Sequence, residues 1–256
     1  MSQTSPGHNW WCRRYRPARN PAARLVCLPH AGGSASFFLP LAEALSPRVD
    51  VVAIQYPGRQ DRHAEPPIDD IGVLADQIYT ALELEPELPL ILLGHSMGAI
   101  VGFEVTRRLE AGQHGPARLV VSGRRAPATH RNEMVHLRDD DGIIAEIRKL
   151  SGTAAEVLSN DELMRAALPA LRADYTATET YTCAPDTTVN CPITVLTGDS
   201  DPKTTLAEAR AWGKHTTSSI DLHVFTGGHF FISDHVGDVI KLITQHLHAM
   251  PAHAPI

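Results

Sequence analysis

Apolar residues cluster in short runs separated by stretches of helical period. Leu25-Val26-Cys27-Leu28, Val49–Ile54, Leu90-Ile91-Leu92-Leu93, 118–123 and 193–197 have the length and branched composition of buried strands. Ile220, Leu222 and Val224 alternate, as in a further strand. Helical spacing appears in Phe37, Phe38, Leu41 and Leu45. It recurs in Ile71, Leu74, Ala75, Ile78 and Leu82, then in Ile100, Val101, Val105 and Leu109, and last in Val236, Val239, Ile240, Ile243 and Leu247. Asp69 or Asp70 caps the second of these, and Pro86 and Pro89 end it. Thr205 and Glu208 have capping-box spacing and open a helix running through Trp212. Strand and helix alternate through the first four strands. That order predicts an α/β domain with a mostly parallel central sheet and helices on both faces.

The alternation breaks after the fourth strand. Residues 128–185 carry two helical stripes, one of Ile143, Ile144, Ile147 and Leu150, the other of Leu163, Met164, Ala167, Leu168 and Leu171. Pro169 is expected to break or kink the second. The stretch is too long for a crossover, and it reads as a helical lid inserted above the carboxyl edge of the sheet. A lid there excludes water and shapes a pocket. Residues 1–23, rich in Arg, Pro and Asn, read as a loosely ordered arm that Trp10 and Trp11 anchor by packing; 250–256 read as a frayed tail. The whole of 1–256 is expected to be one domain.

The 256 residues carry a net charge of −6, which gives no electrostatic case for nucleic acid. No apolar run reaches membrane-spanning length, so no membrane partner is expected. The polar start, Met1 to Gly7, has no secretory core, and Arg13-Arg14 is followed by Arg16, Pro17, Arg19 and Asn20 rather than an apolar stretch. Cys12, Cys27, Cys183 and Cys191 lack metal or redox spacing and read as reduced thiols of a cytoplasmic protein. No dinucleotide or phosphate-loop signature is present, and Asp139-Asp140-Asp141-Gly142 lacks calcium-loop spacing. Neither a cofactor nor a metal is expected.

Candidate chemistry centres on the third strand, which runs into Gly94-His95-Ser96-Met97-Gly98-Ala99 and then a helix. Strand, Gly-x-Ser-x-Gly and helix in that order describe a nucleophile elbow. Ser96 is the nucleophile, and the N–H of Met97, at the helix start, is one oxyanion donor. The loop Pro29-His30-Ala31-Gly32-Gly33-Ser34 supplies the second, assigned to the N–H of Ala31. A serine hydroxyl needs a base and a group to hold that base. Of the 14 histidines, His229 combines a strand end with glycine neighbours. The orienting carboxylate is Asp199 or Asp201. Asp201 is preferred, because it has cleared the strand end and Pro202 fixes its turn, whereas Asp199 is expected to bond the turn backbone. The implied reaction is acyl transfer from a thioester or ester to water.

Five motifs together resemble the type II thioesterases of polyketide synthase and nonribosomal peptide synthetase systems, members of the α/β-hydrolase superfamily. They are Leu28-Pro29-His30-Ala31-Gly32-Gly33-Ser34, Gln55-Tyr56-Pro57-Gly58-Arg59, Gly94-His95-Ser96-Met97-Gly98-Ala99, Gly198-Asp199-Ser200-Asp201-Pro202 and Gly227-Gly228-His229-Phe230-Phe231. The resemblance implies an α/β-hydrolase fold and a triad of Ser96, Asp201 and His229. It also implies editing hydrolysis of stalled or mis-primed acyl groups on the phosphopantetheine of an acyl or peptidyl carrier protein, by an enzyme expected to be monomeric. Arg59, Arg62, Arg124, Arg125 and Arg131 follow strand ends and are candidate contacts to that carrier or its phosphate. The competing readings are a product-releasing thioesterase, a general small-ester hydrolase and a non-catalytic binding protein of the same fold.

Overall fold

The structure, a computed structural model, describes residues 9–83, 88–151 and 161–249. Among these residues seven strands form one sheet: β1 (Cys12–Arg13), β2 (Ala23–Leu28), β3 (Val49–Ile54), β4 (Leu90–His95), β5 (Arg118–Ser122), β6 (Ile193–Gly198) and β7 (Ile220–Phe225). The helices among the described residues are α1 (Leu39–Leu45), α2 (Ile71–Ala81), α3 (Met97–Ala111), α4 (Asp140–Ser151), α5 (Asp161–Thr180), α6 (Leu206–Arg210), α7 (Phe231–Asp234) and α8 (Val236–Ala249). Strand order is β1-β3-β2-β4-β5-β6-β7, parallel throughout except that β1 runs antiparallel to β3.

Runs of apolar residues without alternation fit a sheet covered on both faces. Leu25 and Cys27 of β2 join a core with Leu41 and Leu45 of α1 and Val239 and Ile243 of α8. Val26 and Leu28 point the other way, to Ile71, Leu74 and Ile78 of α2 and Val101, Phe103 and Val105 of α3. Burying each such Leu or Ile stabilises the fold by about 1.5–3 kcal/mol. From β2 the chain moves outward to β3, then crosses back to place β4 on the other side of β2. This reversal opens a crevice at the carboxyl ends of β2 and β4, where Leu28 pairs with Gly94. The loop after β2 and the elbow after β4 therefore meet.

Asp70, not Asp69, caps α2, accepting from the Val73 N–H at 2.8 Å. The Thr205–Glu208 capping box is formed, although α6 gives way to a 3-10 turn over Ala211–His215. Strand β2 begins two residues before its apolar run, because Arg24 is buried against Asp50 of β3 at 2.8 Å. Val224 of the edge strand β7 stays exposed. Of the expected break or kink at Pro169, there is no break: helix α5 continues through it. Pro169 is exposed, so water can satisfy the carbonyl that its missing N–H leaves free.

Between β5 and β6, α4 and α5 share an apolar cluster of Val135, Ile143, Ile144, Met164, Leu168 and Leu171. The link 152–160 and the side chain of Leu163 lie outside the described residues, as do 1–8, Pro86 and 250–256. Residues 9–23 are more closely held than the loose arm expected. Cys12 pairs with Ile54, the Gln55 N–H donates to Trp11 O at 2.8 Å, and Asn9 Nδ2 donates to Ala81 O at 2.7 Å. The open edge of β3 explains this, since its backbone groups need partners. Trp11 does the anchoring, with the Arg62 guanidinium 4.4 Å from its ring, while Trp10 is 48% exposed.

Candidate active site

Ser96 sits between β4 and α3 with φ 55° and ψ −117°, a left-handed conformation that a serine adopts only under constraint. The constraint is local. Its N–H donates to Ser122 O at 2.8 Å, and its carbonyl accepts from Ala99 N at 3.0 Å. Gly94 and Gly98 permit the turn: a Cβ on the first would collide with the Gly98 carbonyl, and on the second with the Leu28 carbonyl.

His229 lies in the loop after β7, buried, with Nε2 2.9 Å from Ser96 Oγ. Its Nδ1 is 3.0 Å from both carboxylate oxygens of Asp201, which follows β6. A carboxylate only accepts, so Nδ1 carries the proton and Nε2 is left to accept from the serine hydroxyl. Asp201 also accepts from the Lys203 N–H at 2.8 Å. Asp199 instead accepts from the Gly227 N–H at 3.0 Å and the Ser200 hydroxyl at 2.9 Å, bracing the two loops against each other. Two further histidines flank His229 and stay neutral. Burial, with the nearby His229 adding to it, pushes His30 down to about 4 and His95 well below its ordinary value.

Ala31 and Met97 line the same cavity as Ser96 and His229. Met97 is the first residue of α3, so its N–H has no partner within the helix. The Ala31 loop is held by residues whose part in it the sequence did not reveal. Tyr56 Oη donates to Pro29 O at 3.2 Å, and Gln55 Oε1 accepts from the Ala35 N–H at 3.0 Å. The Gly32 N–H donates to Asp174 of α5 at 2.7 Å, and Arg59 Nη2 lies 2.7 Å from both Asp174 oxygens. The Gln55–Arg59 motif thus braces the loop that bears Ala31. Burial pushes the Asp174 carboxyl up to about 6, against the opposing pull of Arg59 and the Gly32 N–H.

Four of the five arginines considered as carrier contacts are engaged internally. Arg59 pairs with Asp174, Arg62 with Glu65, Arg125 with Glu133 and Arg131 with Glu208. Arg59, Arg62 and Arg125 are buried, so they are structural cations and not surface docking charges. Arg124 alone of the five lines the cavity.

That cavity has a volume of about 730 Å³. Ser96, His229 and Phe230 line it from the loops after β4 and β7, and Ile147, Leu150, Met164 and Leu171 line it from α4 and α5. No cluster of His, Cys, Asp or Glu suited to a metal ion occurs among the described residues. No helix among them is long and apolar enough to cross a membrane.

Comparison with known proteins fits this geometry. A thioesterase domain model matches residues 23–247. The chain belongs to the thioesterase family. It is 55% identical over 238 residues to a probable cadicidin biosynthesis thioesterase of Streptomyces griseus, covering 93% of this chain and 66% of that one. It is 48% identical to thioesterase PikA5 of Streptomyces venezuelae, covering 93% and 85% of the respective chains. Among solved structures, the type II thioesterase BorB of the borrelidin biosynthetic cluster superposes with a TM-score of 0.89 at 48% identity, covering 95% of this thioesterase and all of BorB. The sheet with its flanking helices is the α/β-hydrolase fold, and this thioesterase is a hydrolase of the type II group.

Proposed function

We propose that this thioesterase edits polyketide or nonribosomal peptide assembly, hydrolysing stalled or aberrant acyl groups from the phosphopantetheine thiol of a carrier protein. The observation that carries the reading is the hydrogen-bonded chain Ser96–His229–Asp201 at one wall of a largely apolar cavity. The names of two relatives attach them to biosynthetic pathways, of cadicidin and of borrelidin, which supports this reading. The working protein is taken to be a cytoplasmic monomer that meets its carrier through the phosphopantetheine arm. The helices α4 and α5 act as the lid.

Ser96 Oγ attacks the thioester carbonyl as its proton passes to His229 Nε2, and Asp201 steadies the imidazolium. The Ala31 and Met97 N–H groups hold the oxyanion; losing one such donor typically costs roughly 3–4 kcal/mol of barrier. As the C–S bond breaks, His229 returns the proton to the departing thiolate. His229 then takes a proton from water, whose oxygen attacks the acyl-enzyme. The free acid leaves and Ser96 regains its hydrogen.

Hydrolysis of a panel of acyl-carrier proteins, from acetyl to long chains, beside a simple ester tests this. Carrier-bound thioesters are expected to be cleaved with the higher kcat/KM, and Ser96→Ala to lower kcat by at least ~10³-fold. Equal rates on ester and carrier would point to a general esterase, and an active Ser96→Ala would refute the mechanism.

A further inference from the structure

Arg124 follows β5 and Gly123 directly, and its carbonyl accepts from the buried Trp212 Nε1 at 2.8 Å, which fixes its backbone. The side chain lines the cavity that holds Ser96 and His229. Its Nε is buried with no hydrogen-bond partner, and no carboxylate among the described residues forms an ion pair with it. The acids nearby are committed elsewhere. Glu133 takes Arg125 and Lys203, each at 3.2 Å. Glu146 takes Lys203 and Arg138. Glu179 accepts from the Val135 and His136 N–H groups at 3.0 Å and bonds the His136 ring. Burial, reinforced by the adjacent Arg125, pushes the Arg124 guanidinium down to about 9. A half-buried guanidinium with no carboxylate partner and a buried, unbonded Nε is costly to keep, and its planar donor fork matches a carboxylate.

We propose that Arg124 is a carboxylate-binding subsite of the acyl cavity, selecting acyl groups that end in a second acid: half-thioesters of dicarboxylic acids. The proposal rests on the thioesterase reading of the cavity. The phosphate of the pantetheine arm is the other anion a carrier-bound substrate brings. The length of the pantetheine separates it from the reacting sulfur, which favours a place for it outside the chamber.

The test compares succinyl and butyryl thioesters of N-acetylcysteamine, which carry no phosphate, on wild type, Arg124→Met, Arg124→Gln and Arg124→Lys. The succinyl-to-butyryl ratio of kcat/KM is expected to fall at least ~10-fold in Arg124→Met and Arg124→Gln, with Arg124→Lys retaining part of it. Because the ratio is internal to each protein, a partly folded variant still reports. Calorimetric binding of both thioesters to Ser96→Ala, with and without Arg124→Met, needs no turnover. Selective loss of succinyl affinity there supports the subsite even if hydrolysis of every thioester fails, an outcome that strikes the proposed function instead. An unchanged ratio overturns the subsite. So does a fall in kcat/KM in Arg124→Met that appears with butyryl-phosphopantetheine but not with butyryl-pantetheine, measured in parallel, since that assigns Arg124 to the phosphate.

Discussion

Asp199 and Asp201 lie two positions apart in one acidic turn, and their surroundings divide their tasks. Asp201 is buried against the His229 ring, and Asp199 is exposed and tied to the Gly227 N–H. Asp201→Asn replaces one of the two oxygens facing Nδ1 with an NH2 donor and removes the negative charge, so the amide favours the wrong imidazole tautomer and no longer steadies the imidazolium, and kcat is expected to fall by ~10³–10⁴-fold. Asp199→Asn keeps an acceptor for Gly227, so the expected loss is under ~10-fold, both being read from single-turnover hydrolysis. Both placements were legible in the sequence, because strand ends, glycine neighbours and the order Ser, Asp, His restrict which side chains can converge. The arginines were not legible. A guanidinium after a strand end has the same signature whether it faces solvent or, like Arg59, meets a carboxylate 115 positions away along the chain.

At the scale of elements, α5 contributes more than apolar cover. Its stripe of Met164, Leu168 and Leu171 was visible as periodicity, but Asp174 carried no signal, since an aspartate in a helix reads as solvated surface. In the fold it joins Arg59 to the Gly32 N–H. Asp174→Asn keeps an oxygen for Gly32 and loses the charge facing Arg59. Hydrolysis is expected to slow by ~10-fold or more, with kcat falling more than KM rises if the oxyanion loop is what slackens. Stability responds to pH in a defined sense. The folded carboxyl titrates at about 6 against an ordinary 3.8, so the fold binds this proton more tightly than the unfolded chain does. That contribution is complete below about pH 4 and is lost as pH rises through 6. Urea unfolding across pH 4–6.5 should show wild type losing stability relative to Asp174→Asn, a slope of the opposite sign contradicting the assignment.

Across the whole molecule, the two-faced sheet was readable because β2 to β6 carry branched apolar residues on consecutive positions, which only double burial rewards. The covered sheet edge was harder to see. Strand β1 is two residues long, and its pairing draws on an unsatisfied neighbour and not on its own pattern. Trp11 holds that edge beside Gln55 and Arg62, so Trp11→Ala is expected to cost about 2 kcal/mol in chemical unfolding and to reduce turnover through the loop that Gln55 braces. A wider consequence belongs to the Gly32–Asp174–Arg59 tether. One of its ends is α5, which lines the cavity, and the other is the loop of Ala31, the proposed oxyanion donor. A guest too bulky to enter without raising α5 would pull Asp174 away and disarm the loop until the helix settles again. Entry of such a guest would then compete with the loop geometry that hydrolysis needs.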